Sequence, residues 1–364
     1  MRNILKNPTK NTRLVRNHTS STPPRIELSD KYIKVKWESG NESNFHNVWL
    51  LDHCRSSSSF HDITKQRLLN TFDIPADLKV KNYKSDSYGL KVEWDYNNHV
   101  STYPWKWLYL NSYSPKLIDE KYLRKDYEID KVYWNKNLSA NPPSVEYSDV
   151  MKDDRGLFNW MLKVDKYGLC FVDNVPDTPE ATEELAKRVT FLRQTHYGTF
   201  WDFTADLKYG DTAYTNIALG AHTDTTYFTD PIGYQLFHLL KPATKGGGSS
   251  LFVDGFYCAN VLKEIDEKAY ETLKSIRIPS HSVGSEEAIM IPSQKSGYPI
   301  INEDNITGSL LQIRYNNDDR SVMRNLKFEE VEEFYRSLKI WNDILNDKNN
   351  EFWSNLEKGR VVCE

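Results

Sequence analysis

The chain has 364 residues, 39% of them hydrophobic and 27% charged, with a formal net charge of -4 at pH 7. That length exceeds one ordinary domain and suffices for two, or for one large domain with an appendage. No apolar run approaches the roughly 18 residues of a membrane span, and the four scattered cysteines (Cys54, Cys170, Cys258, Cys363) lack CxxC or framework spacing, which favours a reducing compartment over a disulfide scaffold.

In chain order, residues 1 to 26 carry Arg2, Lys6, Lys10, Arg13, Arg16 and Arg25 and no acid. The acidic balance therefore falls on the rest of the chain, which advertises no nucleic-acid surface. Residues 1–25 read as a leader with the composition of a mitochondrial presequence, or equally as a disordered tail, so the expected location is mitochondrial with the cytoplasm as alternative. From 26 to 113 the pattern is short and alternating: "YIKVKW" (32–37), "LKVKNY" (78–83) and "LKVEWDY" (90–96) predict antiparallel strands of a small β domain. A Lys/Asp/Asn/Pro-rich stretch over 114–150 is expected to be a linker.

The remaining region, 151–364, opens with a helical pattern at 155–168 and an apolar strand pattern at 169–175. Thr178-Pro179-Glu180 starts a helix well, since proline suits the first helical position and acids suit the first turn. Leu185, Val189 and Leu192 are expected to form its apolar face. Strands are expected at 234–240, 249–256 and 309–317. Helices are expected at 256–275, with Val261, Leu262, Ile265 and Tyr270 as its apolar residues, and at 328–346, with Val331, Phe334, Tyr335, Leu338, Trp341 and Leu345. Many strands with few helices predict a mainly β fold, a sandwich or jelly roll carrying helical insertions.

Residues 220 to 228 read "GAHTDTTYF". On a strand, positions i and i+2 point to one side, so His222 and Asp224 can face one ion. One imidazole and one carboxylate are two thirds of the 2-His-1-carboxylate triad, which leaves positions open on Fe(II). The spacing alone fits a surface or capping pair as well.

The surrounding sequence shifts that balance. Residues 196–240, "GGGSSLFVDGFYCANVL", "IRYNNDDR", "NVWLLDHCR" and "STYPWKWL" resemble the iron(II)- and 2-oxoglutarate-dependent γ-butyrobetaine hydroxylase and trimethyllysine dioxygenase family over most of the chain from about residue 26. "HTDTTYFTDP" is similar to the trimethyllysine branch. The resemblance implies a double-stranded β-helix (jelly roll) oxygenase domain behind a small N-terminal β domain, and hydroxylation of trimethyllysine, a small-molecule substrate, at C3. It implies Fe(II), 2-oxoglutarate as cosubstrate and ascorbate as reductant, in a chain able to form a homodimer. γ-Butyrobetaine hydroxylation is the alternative. On this likeness His222 and Asp224 are iron ligands, Tyr197, Trp201 and Tyr214 an aromatic cage for the quaternary ammonium, and Asn316 and Asn317 substrate contacts, with Arg314 beside them for substrate or cosubstrate. Turn chemistry is the other reading of "NNDD".

Three further expectations come from the likeness. The third iron ligand, a histidine in an Asp-Asn-Trp-Arg-x-Leu-His-Gly-Arg segment, and the arginine that anchors 2-oxoglutarate are expected beyond Glu364, because the match reaches Gly359-Arg360-Val361 and breaks at "VVCE". A chain without the last jelly-roll strands is expected to be poorly metallated and poorly stable, and could act as a catalytically impaired trimethylammonium-binding protein. His238 and His281 are read as non-ligands. Cys54 and His99 match two ligands of a structural zinc site in which Ser56 and Ser59 replace the other two, and serine is a poor zinc ligand beside thiolate, so no zinc is expected.

Overall fold

The computed structural model describes residues 22–118, 129–204, 215, 217–243, 246–284 and 289–364. The chain divides into two units, Met1–Glu128 and Ile129–Glu364.

In the first unit, β1 (Arg25–Leu28), β2 (Tyr32–Lys36) and β3 (Glu42–His46) form one antiparallel sheet. A short helix, α1 (Asn47–Asp52), follows it. The strands β4 (Val80–Ser85), β5 (Gly89–Trp94) and β6 (Val100–Pro104) form a second sheet, followed by α2 (Trp105–Leu110). Alternation decides what is buried: Ile33 and Val35 of β2 point inward with Leu90, Val92 and Trp94 of β5, and Leu50, Leu51 and Leu108 of the helices close the same core. The aromatic side chains there have polar ends that find partners. Trp94 donates its indole N–H to Ser101 at 2.9 Å, Trp37 to Ser43 at 2.8 Å, and Tyr103 its hydroxyl to the Leu50 carbonyl at 2.5 Å.

The second unit begins earlier than residue 151. Trp134 is buried and donates its indole N–H to the Tyr167 carbonyl at 2.7 Å, and β7 (Ser144–Glu146) joins a sheet, so 134–146 is packed structure rather than linker. Next come α3 (Tyr147–Lys152), α4 (Asp154–Tyr167) and β8 (Cys170–Asp173). Asp153 caps α4 through the N–H groups of Arg155 and Gly156, and Gly168 ends it at φ 77°, a left-handed conformation glycine adopts without Cβ strain. Helix α5 (Pro179–Val189) starts on the Thr178 cap as expected, but its buried residues are Ala181, Thr182 and Leu185, while Val189 is exposed.

Then follow β9 (Leu236–His238), β10 (Ser249–Phe252), α6 (Gly255–Ile265) and α7 (Glu267–Ser275). The helix expected at 256–275 is two, because Asp266 leaves the helical backbone and caps the second through the Ala269 N–H; Ile265, at the break, is 63% exposed. The last elements are β11 (Ile301–Glu303), β12 (Leu310–Ile313), α8 (Val331–Leu345), β13 (Phe352–Asn355) and β14 (Arg360–Cys363). Val331 and Tyr335 of α8 are exposed, so Phe334, Leu338, Trp341, Ile344 and Leu345 make its apolar face.

Among the described residues the central sheet has the order β7-β8-β14-β9, with β14 antiparallel to both neighbours. Period-two alternation sends Cys170, Val172, Val361 and Cys363 into one core with Trp160 and Leu185, and Phe171 and Val362 into another with Phe252 and Phe352 of the β10-β13 ribbon. A third core forms where α6, α7 and α8 cover β11 and β12.

Candidate active site

Residues 222 to 224 are not a strand. Chain segment 220–232 runs through turns, and Thr225 sits at φ 55°. A β-branched residue is strained in that region, so the surroundings must hold it there, and they do. Thr225 is buried and its Oγ1 accepts the Ile232 N–H at 3.0 Å. On one side of it Thr223 is stitched to Tyr315: its N–H donates to the Tyr315 carbonyl at 2.7 Å and its Oγ1 accepts the Tyr315 N–H at 2.8 Å. On the other side Arg314 clamps the loop.

The guanidinium of Arg314 donates to the carbonyls of Thr226 (3.2 Å from Nε), Phe228 and Thr229 (3.4 Å from Nη1), and lies 3.9 Å from the centre of the Tyr298 ring. Its donors are spent on the loop that carries the motif. This places Arg314 as a positioning residue rather than the ligand contact expected from the sequence.

Although the turn breaks the expected i, i+2 geometry, it brings the pair together. His222 Nε2 and Asp224 Oδ1 stand 3.2 Å apart. His222 Nδ1 is 2.7 Å from the Gly220 carbonyl, and an N–H there leaves Nε2 as the atom with a lone pair to share. Two ligands at about 2.1 Å from one metal and at right angles to each other lie about 3.0 Å apart, so the pair fits two cis positions of an octahedral ion. The His222 and Asp224 side chains remain 29% and 37% exposed, so a ligand can reach them.

Without metal the pair shares a proton. The hydrogen bond to Asp224 pushes the His222 imidazole up to about 9; burial raises Asp224, but the His222 contacts and a hydrogen bond from Gln235 outweigh it and hold the carboxyl below its ordinary value. A metal ion must displace that proton. Among the described residues no third His, Cys, Asp or Glu completes a metal-holding group with them.

Tyr197 and Trp201 lie beside this loop. Their rings stack with centroids 5.6 Å apart and planes 29° from parallel, too close to admit a trimethylammonium group between them, so the outer ring faces are what a cation can meet. The Tyr197 and Tyr227 hydroxyls are 3.1 Å apart, which ties the ring pair to the motif loop. Tyr214 lies outside the described residues.

Asn316 adopts the turn role: its Oδ1 accepts the Asp318 N–H at 2.9 Å and its amide donates to Asp319 at 2.9 Å. Asn317 faces the cleft next to His222. His238 and His281 are held by Thr182 (2.7 Å) and Ser321 (2.5 Å). Sequence reasoning missed Tyr227 and Gln235, whose partners are set by the turn and by strand pairing, although Tyr227 stands within the quoted motif.

In the first unit, Cys54, Ser56, Ser59 and His99 form a hydrogen-bonded cluster. Cys54 Sγ is 3.2 Å from Ser56 Oγ, and His99 Nε2 is 2.9 Å from Ser59 Oγ and 3.5 Å from Ser56 Oγ. Burial holds the His99 imidazole below its ordinary pKa.

Comparison with known proteins gives the family. Residues 134–363 match the model of the taurine catabolism dioxygenase TauD, TfdA family, and 25–109 that of the gamma-butyrobetaine hydroxylase-like N-terminal region. The chain is 40% identical to a trimethyllysine dioxygenase of Meyerozyma guilliermondii, over 91% of this chain and 84% of the relative. The chain belongs to the trimethyllysine dioxygenase family. The human mitochondrial trimethyllysine dioxygenase is 36% identical over 87% of this chain and 74% of its own length, and the human gamma-butyrobetaine dioxygenase 28% identical over 91% and 83%. The family consists of 2-oxoglutarate-dependent dioxygenases, and its fold is mainly β.

Proposed function

We propose that the chain hydroxylates N6,N6,N6-trimethyl-L-lysine at C3, with 2-oxoglutarate and O2 yielding succinate and carbon dioxide, Fe(II) held by His222 and Asp224, and ascorbate as reductant. The observation that carries the reading is the 3.2 Å convergence of His222 Nε2 and Asp224 Oδ1 on a loop that also carries the Tyr227 contact to the Tyr197–Trp201 pair. Ferrous ion at that point, with 2-oxoglutarate and O2, supplies the oxidant for an unactivated C–H bond. The protein's residues do the rest. Thr223 and Arg314 fix the loop, His222 presents Nε2 through its Gly220 contact, and the aromatic faces take up a quaternary ammonium that has no hydrogen to donate. The same reading includes a jelly-roll arrangement of the second unit and a first unit that folds without zinc. It also includes a mitochondrial site of action, in keeping with the names of the mammalian relatives.

The test offers trimethyllysine and γ-butyrobetaine side by side with Fe(II), 2-oxoglutarate and ascorbate, following succinate and the hydroxylated product by mass spectrometry. Trimethyllysine is the expected substrate, and His222→Ala or Asp224→Ala abolishes product. Undiminished product from either variant, or preference for γ-butyrobetaine, overturns the reading. Trimethyllysine binding without succinate assigns the chain a binding role instead.

A further inference from the structure

A cleft of about 450 Å³ opens beside the metal pair, within the range of small-molecule sites. Its wall includes His222, Asn316, Asn317, Asp318, Arg320 and Lys339, so the imidazole that meets Asp224 and these charged groups share one space. Lys339 is a rim group, 3.4 Å from Asp343 on its own helix.

Arg320 is the distinctive member. Its Nε is buried with no hydrogen-bond partner, and among the described residues no carboxylate forms an ion pair with it. It is half-buried, with its guanidinium carbon 5.8 Å from the centre of the Tyr335 ring. Arg314, by contrast, spends its donors on carbonyls. A guanidinium is a rigid fork of five donors that matches a carboxylate, and leaving it unmatched in a partly desolvated place is costly. Two residues away, Asp318 presents an exposed carboxylate to the same cleft. A lone anion would be attracted by one of these charges and repelled by the other. A ligand with a carboxylate and an ammonium on one carbon satisfies both.

We propose that this cleft holds the zwitterionic head of an α-amino acid, its carboxylate on Arg320 and its ammonium on Asp318, and that this head distinguishes trimethyllysine from γ-butyrobetaine, which has the carboxylate but no second ammonium. The inference rests on the proposed function for the identity of the ligand. Asn317 and Lys339 line the approach, and Tyr335 limits where the Arg320 fork can swing.

The full chain is titrated by calorimetry with four probes: trimethyllysine, its carboxamide, its analogue lacking the α-amino group, and 2-oxoglutarate. Arg320→Met is expected to weaken trimethyllysine about tenfold to a hundredfold, the loss of charge-assisted hydrogen bonds, while leaving the already weaker carboxamide unchanged. Arg320→Lys recovers part of the affinity. Asp318→Asn weakens trimethyllysine but not the analogue lacking the amino group.

Equal loss of acid and carboxamide in Arg320→Met would mean a structural role, and unchanged trimethyllysine affinity would mean no contact; either overturns the proposal. So does a loss confined to 2-oxoglutarate, which gives the guanidinium to the cosubstrate. Head-dependent binding without succinate release leaves the cleft assignment standing and removes the catalytic reading; hydroxylation unaffected by Arg320→Met does the reverse.

Discussion

Replacing Arg314 by methionine tests whether the loop bearing His222 and Asp224 is held by a buried cation. The side chain is 7% exposed, and methionine retains most of its stem, so the cavity term is small. The Thr226 carbonyl keeps the Ser280 hydroxyl at 2.7 Å and is not orphaned; the Thr229 carbonyl is at the surface and gains water. What is lost is charge-assisted bonding to Thr226 and Phe228 and the stacking on Tyr298. At about 1.5 to 3 kcal/mol for each charged bond and about 0.5 to 2 for the cation–π contact, less the relief of no longer burying a charge, the net cost is about 2 to 4 kcal/mol. The strain at Thr225 is then free to relax, which moves Asp224. In urea the transition of the second unit is expected to fall by about 1 to 2 M, and Arg314→Lys to restore little of it, because one ammonium cannot fork to carbonyls on both sides of Tyr227. A shift below about 0.3 M, or full rescue by lysine, would falsify the clamp.

Other expectations are independent of that one. Converting Ser56 and Ser59 together to cysteine turns the Cys54–His99 cluster into a Cys3His set within tetrahedral reach, and the purified double variant is expected to carry one zinc by elemental analysis and to unfold at a higher temperature; a metal-free product of unchanged stability counts against the geometry. Burial pushes the Cys170, Cys258 and Cys363 thiols up to about 12, so in the native chain these three resist alkylation at pH 8 and react only after denaturation, read by peptide mass. Arg336, bonded to Asp266 and Glu333, holds both carboxyls down to about 2. Depressed carboxyls contribute stability that is present above their ordinary values of 3.8 and 4.5 and fades as pH falls toward 2. Arg336→Met should therefore lower the melting temperature at pH 6 slightly, solvent screening the gain, and leave it unchanged near pH 2; an equal loss at both pH values points to packing instead.

Where neighbours in sequence carry the information, the structure agrees with the reading. The alternation of β2, the Asp153 cap and Gly168 stop of α4, and the Thr178-Pro179 start of α5 are written in residues a few positions apart, because strand faces and helix ends are local hydrogen-bond problems. The break at Asp266 was legible too, since an aspartate immediately ahead of a helix, able to accept the N–H three residues on, is a capping signal, but continuous apolar periodicity concealed it. The family likeness is equally a property of the chain itself, and the His-x-Asp motif could be singled out before any coordinates.

What sequence alone singled out, then, is which side chains the proposed chemistry draws on: one imidazole, one carboxylate and rings for a cation. Only the tertiary structure decided how they meet. Expected on a strand, His222 and Asp224 converge on a turn that Thr225 could not hold unaided; its stability comes from Arg314 and Tyr315, about ninety residues further along. Pairings at such separation depend on how sheets and helices stack, which no local pattern encodes. A similar distance separates His222 from Arg320 and Asp318, so a neighbourhood of opposite charges beside that imidazole becomes visible only once the chain has folded.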